Sequence, residues 1–201
     1  MPKSPRIDND VLLDAGLKLM EANGKPLKKI QSTGRSMLFE LPNRETVRAR
    51  TCNDHILIVL ADHPGEDAKL NIEGTDWLLI VMPEVERTPG KVIVYLVPTP
   101  VALEAVRTTH KQWLSTNPRT NGSNTTWNLW FDEDGPEKAN AFATKWASYR
   151  LKGSSETLHS ANDQQMNSEP VNVKAEVEAA RLRISKAAGV PPEAVKIIVD
   201  F

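Results

Sequence analysis

The alternation of apolar and polar positions divides the chain into a long patterned segment, a featureless stretch and a short patterned tail. Asp8-Asn9-Asp10 supplies capping side chains ahead of Val11, Leu12, Ala15 and Leu19, which recur at helical spacing as far as Asn23-Gly24, so a first helix is expected there. Three extended segments follow, "LKKIQST", "SMLFEL" and "TVRART". Pro42-Asn43-Arg44-Glu45 gives the last two the chemistry of a turn between strands. "HILIVLAD" (55–62) is a continuous apolar run of strand length and predicts a buried strand rather than an edge. "DWLLIVMP" (76–83) and "KVIVYLVP" (91–98) flank Pro89-Gly90 and predict a hairpin.

After Pro98 the period changes. From a Thr99-Pro100 start, Val101, Ala105, Val106, Trp113 and Leu114 form a broad helical stripe, which predicts a helix packed on the sheet. A polar stretch (115–126) leads to "WNLWF", and Gly135-Pro136 opens a last helix with Phe142, Trp146 and Tyr149 on one side. The pattern predicts an α/β core domain over 1–151, with a mixed central sheet flanked by helices. Residues 152–170 lack periodicity and large apolar clusters, as a flexible linker does. In 171–201, Val173, Val177, Ala180, Ile184 and Ala187 share a helical face, Gly189 and Pro191-Pro192 end it, and "VKIIVDF" has strand character. A lone helix and strand cannot bury both their faces, so this C-terminal module is expected to dock on the core domain, a protein partner or a second copy.

Composition narrows the class. The chain has 201 residues, of which 40% are hydrophobic, enough for one core. No stretch approaches the ~18 consecutive apolar residues of a membrane span, so no membrane partner is expected. Met1-Pro2-Lys3-Ser4-Pro5-Arg6 leads into charged residues rather than an apolar signal core, and the single cysteine, Cys52, allows no internal disulfide; both fit a cytoplasmic protein. The net charge is −1, yet residues 1–50 hold 10 Lys/Arg against 6 Asp/Glu (net +4) and residues 51–100 hold 3 against 8 (net −5). Lys25, Lys28, Lys29, Arg35, Arg44, Arg48 and Arg50 could form a basic face for a polyanion or an ordinary solvated surface.

A helix containing Glu21, the strand "LFEL", a turn, the strand "VRART", then "TDWLLIVMP", "KVIVYLVP" and a helix follow in an order that resembles the PD-(D/E)XK restriction-endonuclease-like superfamily, over roughly residues 8 to 115. In active members a strand carboxylate and a Glu/Gln-x-Lys on the next strand hold a divalent cation that assists attack on a phosphodiester. The resemblance places Glu21 and Glu40 at the family's carboxylates. Its Glu/Gln-x-Lys positions fall on Arg48 and Arg50, which repel a cation and offer no acceptor, so the metal site would be degenerate and no cofactor is expected. The tail resembles, over about thirty residues, the helix, Gly-x-Pro-Pro turn and strand of ubiquitin-like folds.

Arg48 and Arg50 could instead bind phosphate, with Lys28, Lys29 and Arg35 extending the contact to DNA, or pair with Glu40 and Glu21 in a buried ionic network. Cys52, His55 and His63, with Asp54 and Asp62, include zinc-ligand types at a spacing that matches no standard motif, and Cys52 near His55 lacks an orienting third group for thiol catalysis. Trp113, Trp127, Trp130 and Trp146 could stack bases or fill a core. The expected function is a non-catalytic DNA-associated or regulatory protein. The alternatives are a protein-interaction module working through 171–201 and a metal-dependent nuclease with rearranged ligands.

Overall fold

The computed structural model describes residues 5–30, 37–117, 124–132 and 141–153, together with Arg181, Ser185, Pro191 and Ala194. The chain divides into two compact units, 1–158 and 159–201. In the second unit Arg181 and Ser185 have helical backbone, and the Ala194 N–H donates to the Pro191 carbonyl at 2.9 Å. The rest of the expected tail module and nearly all of the expected linker lie outside the described residues.

The first unit is a mixed α/β structure in which α1 (Asn9–Ala22) opens the chain and strands β1 (Lys28–Lys29), β2 (Leu38–Glu40), β3 (Thr46–Thr51), β5 (Trp77–Pro83) and β6 (Val92–Pro98) build one sheet in the order β1-β2-β3-β5-β6. The pair β3/β5 is parallel and the other three are antiparallel. Between β3 and β5 the chain leaves this sheet for β4 (Ile56–Leu60), which pairs antiparallel with β7 (Thr126–Trp130) in a separate two-stranded sheet. Helix α2 (Thr99–Thr116) follows β6 directly, and a short α3 (Phe142–Lys145) continues into a 3₁₀ turn at Ala147–Tyr149.

Two apolar layers sandwich the large sheet. On one face Leu12, Ala15, Leu19 and Met20 of α1 meet Phe39, Val47, Ala49, Leu79 and Val81. On the other, Leu78, Ile80, Tyr95 and Val97 share a core with Ala102 and Val106 of α2, Leu57 and Val59 of β4, Trp127 and Leu129 of β7, and Phe142 and Trp146. Because β5 and β6 are covered on both sides, their sequences are continuous apolar runs, and the expected hairpin forms with Gly90 at φ +140° in its turn. The first helix also forms as its caps require, since the Asp8 carboxylate accepts the Asp10 N–H at 2.7 Å. Gly16 brings α1 against β5 so closely that a Cβ would collide with the Val81 side chain.

Several details differ from the sequence expectation. Strand β4 is not buried on both faces: Leu57 and Val59 point inward, while Ile58 and Leu60 are 48% and 49% exposed. An unbroken apolar run therefore marks a strand in a two-stranded sheet here, with apolar side chains also standing on its outer face. Val11 lies outside the buried stripe of α1. The buried positions of α2 are Thr99, Ala102, Val106 and His110; of the expected stripe, Val106 is among them, Val101 and Ala105 pack partly buried against the same core, and Trp113 and Leu114 are partly exposed. The last helix is a single turn from Phe142, and its expected start at Gly135-Pro136 lies outside the described residues.

Candidate functional site

Strand β3 positions the two arginines. In Thr46-Val47-Arg48-Ala49-Arg50 successive side chains alternate between faces, and the fully buried Val47 and Ala49 take the α1 side, so Arg48 and Arg50 stand together on the other. Arg48 lies opposite Leu38 of β2 and Leu78 of β5, and Arg50 lies opposite Ile80. Leu78 and Ile80 belong to the core under α2, and the arginines flank that core on its β2 side.

Both arginines are half-buried, and neither forms an ion pair with any described carboxylate, unlike Arg6, Arg87 and Arg107. Arg50 Nη2 donates to the Asn71 carbonyl at 3.1 Å. Burial first, and then the neighbouring Arg48 charge, lower the Arg50 pKa from its ordinary value, although a guanidinium remains a cation at any physiological pH. Arg48 Nε is buried with no hydrogen-bond partner. Two guanidinium groups are thus held side by side, desolvated in part and without a counter-ion among the described residues.

The register places the remaining expected residues. Glu40 lies opposite Thr46 and opposite Lys28, so Lys28 and Glu40 share the face of Arg48 and Arg50. Glu40 is diagonal to Arg48, roughly 7–8 Å away at Cα for such a pair, and makes no salt bridge with it. Lys29 lies opposite Phe39, whose side chain packs under α1, so it belongs to the other face. Glu21 is exposed on α1, across the sheet from Glu40. The two carboxylates that the resemblance assigns to one metal site do not converge, and the ionic network of Arg48 and Arg50 with Glu40 and Glu21 does not form. Arg35 lies outside the described residues.

Beyond Arg50 the end of β3, residues 6–9 and the start of β4 enclose an open cleft of ≈ 530 Å³, with Arg50, Cys52 and Asp54 among its walls. Asp54 accepts from both Arg87 and Arg6; burial alone would raise its pKa, but these hydrogen bonds hold it below the ordinary carboxylate range. Cys52 is buried, and burial pushes its thiol up to about 12, so it is no nucleophile. His55 is committed elsewhere: Nδ1 meets Asp132 Oδ1 at 2.6 Å and Nε2 meets the Pro83 carbonyl at 2.7 Å. Both ring nitrogens are therefore engaged within the fold. His63 lies on the surface between Asp62 and Asp67. Among the described residues no group of three His, Cys, Asp or Glu side chains could hold a metal ion, and no helix is long and apolar enough to cross a membrane.

Asn71, which anchors Arg50, and Asp132, which closes the His55 bridge, carry no motif by which the sequence could have marked them. Comparison of the chain with protein-family models, curated proteins and solved structures gave no match.

Proposed function

We propose that the chain is a non-catalytic DNA-associated or regulatory protein, built on a restriction-endonuclease-like domain whose metal site has become an anion site. One observation carries this reading: Arg48 and Arg50 stand side by side, half-buried and without a counter-ion among the described residues. A phosphate supplies what that arrangement lacks, since its oxygens accept from the planar fork of a guanidinium and its charge offsets the repulsion between the two cations. Lys28 adds a third cation to the same face and Glu40 a single anion. The order α1, β2, β3, β5, β6, α2 supports the family resemblance, whereas the excursion through β4 between β3 and β5 is an addition to it.

Metal-dependent cleavage is disfavoured by the same face. Two fixed guanidinium groups stand where ligand oxygens are needed, and Glu21 lies across the sheet from Glu40. The test is titration of a labelled DNA duplex with wild-type protein at about 50 and about 200 mM salt, magnesium present. Binding that weakens steeply with salt, the duplex remaining intact, supports the proposal. Absence of binding at the lower salt refutes it, and magnesium-dependent product that disappears in Glu40→Ala establishes a nuclease instead.

A further inference from the structure

The described residues form two sheets, each with two outer edges, and an uncovered edge presents backbone N–H and C=O groups that can pair with another chain. Three of these edges are guarded. Strand β1 is only two residues long, and both are lysines. Along β6 the Val94 carbonyl accepts the Leu151 N–H at 2.9 Å, and Tyr95 bridges to Arg150. On the far side of β4 the Leu60 carbonyl accepts the Asn71 N–H at 2.9 Å and Asn71 Oδ1 accepts the Leu60 N–H at 3.1 Å, while the start of the strand lines the cleft beside Arg6 and Arg50.

The edge of β7 is the fourth. The Ala61 N–H donates to the Thr125 carbonyl at 2.8 Å and the Phe131 N–H to the His55 carbonyl at 3.0 Å, which fixes the phase of the β4/β7 ladder. Because hydrogen-bonded and non-hydrogen-bonded pairs alternate, Trp127 and Leu129 turn their backbone groups toward β4, and Thr126, Asn128 and Trp130 turn theirs away. The Thr126 N–H is capped by Asn124 Oδ1 at 2.8 Å. The Thr126 carbonyl and the outward N–H and C=O of Asn128 and Trp130 have no partner among the described residues. Beside them a groove of ≈ 160 Å³ separates this edge from Thr109, His110 and Trp113 of α2. The strand, Thr126-Trp127-Asn128-Leu129-Trp130, has none of the charged residues, prolines or glycines that blunt an edge.

We propose that β7 pairs antiparallel with β7 of a second copy of the chain, about a two-fold axis at Asn128, so that the two small sheets join into one. The strand is complementary to itself in that register: Thr126 faces Trp130 of the other copy and Trp127 faces Leu129, so an aromatic ring meets a β-branched or aliphatic side chain at each of these pairs and no charges meet. Across the axis the two Asn128 residues exchange backbone N–H and C=O, and each Trp130 N–H reaches the free Thr126 carbonyl of the other copy, which leaves the Asn124 cap undisturbed. The outer face gains too, because Thr126 lies opposite Leu60, which is 49% exposed, and Trp130 of the other copy extends that row. The contact uses none of the residues assigned to anion binding.

The experiment is sedimentation velocity of the full chain from low to high micromolar concentration, with residue-resolved amide hydrogen exchange over the same range. Wild type is expected to pass from monomer to dimer, and the Asn128 and Trp130 amides to exchange more slowly as the dimer fills. Asn128→Lys and Asn128→Asp each set like charges opposite one another at the axis, so each variant alone should stay monomeric, and their equimolar mixture should dimerise because opposite charges then face each other. Thermal unfolding shows that each variant is folded; if either is not, the exchange of the wild-type amides decides. The proposal is overturned if wild type stays monomeric throughout, if the Asn128 and Trp130 amides exchange equally fast in monomer and dimer, if both folded variants dimerise as wild type does, or if the mixture of the two folded variants stays monomeric.

Discussion

Replacing Arg48 by Met should stabilise the protein while weakening its hold on anions. The buried Nε of Arg48 lacks an acceptor, and leaving a buried polar group unsatisfied costs about 1–3 kcal/mol. Arg48 is only half-buried, so the lower end of that range applies. Arg50 stands two residues on, about 7 Å along the strand, where like charges repel by about 0.6 kcal/mol even in a medium as polarisable as water. Methionine keeps an apolar stem beside Leu38 and Leu78 and removes both penalties. The net expectation is a gain of about 1 kcal/mol, or about 2–4 °C in Tm for a chain of this size. Urea unfolding in a buffer free of phosphate and sulfate should therefore show a higher midpoint with an unchanged slope. Added inorganic phosphate should raise the Tm of wild type more than that of Arg48→Met, because an anion bound only by the native state stabilises by mass action. A variant that unfolds about 1 kcal/mol earlier than wild type would refute the reasoning: Arg48 would then be a structural residue.

His55→Ala should cost about 2–4 kcal/mol in urea unfolding, since it strands the Pro83 carbonyl and unpairs Asp132, the contacts that tie the start of β4 to the ends of β5 and β7. Asp54 has its native pKa below the unfolded value of about 4, so its stabilisation is complete above that pH and is lost as pH falls through the lower native value; Asp54→Asn should flatten the acid limb of the stability–pH curve. Cys52, buried and with its thiol pushed up to about 12, should resist a thiol-specific reagent at pH 8 in the native protein and react fully in denaturant; rapid native labelling would contradict its placement.

The sequence was informative wherever one local signal decided the outcome. The caps of α1, the turn after Leu41 and the β5–β6 hairpin all form where Asp8, Asn43 and Gly90 call for them. The alternation of Val47, Arg48, Ala49 and Arg50 was enough to put both arginines on one face. It failed where a long-range partner decided. A run such as "ILIVL" carries no sign of whether its outer face will be covered, and β4 pairs with β7, some seventy residues away in the chain. Likewise, Glu21 and Glu40 share an acidic character but not a side of the sheet, because α1 crosses the face on which Phe39 rather than Glu40 points inward. Asn71 could not be foreseen at all, since it serves Arg50 through its backbone carbonyl, which any residue possesses.

The most direct test of the account is the salt dependence of duplex binding for wild type, Arg48→Gln/Arg50→Gln and Lys29→Gln. The register puts Lys29 on the opposite face of the sheet, so the loss of its single charge serves as an off-site control. Each phosphate contact contributes about 0.9 to the slope of log K against log salt. The double variant should lose about 1.8 from that slope along with most of its affinity, and Lys29→Gln should retain the wild-type slope. Equal slopes for all three proteins, or the same loss in Lys29→Gln as in the arginine variant, would contradict a phosphate site built on Arg48 and Arg50.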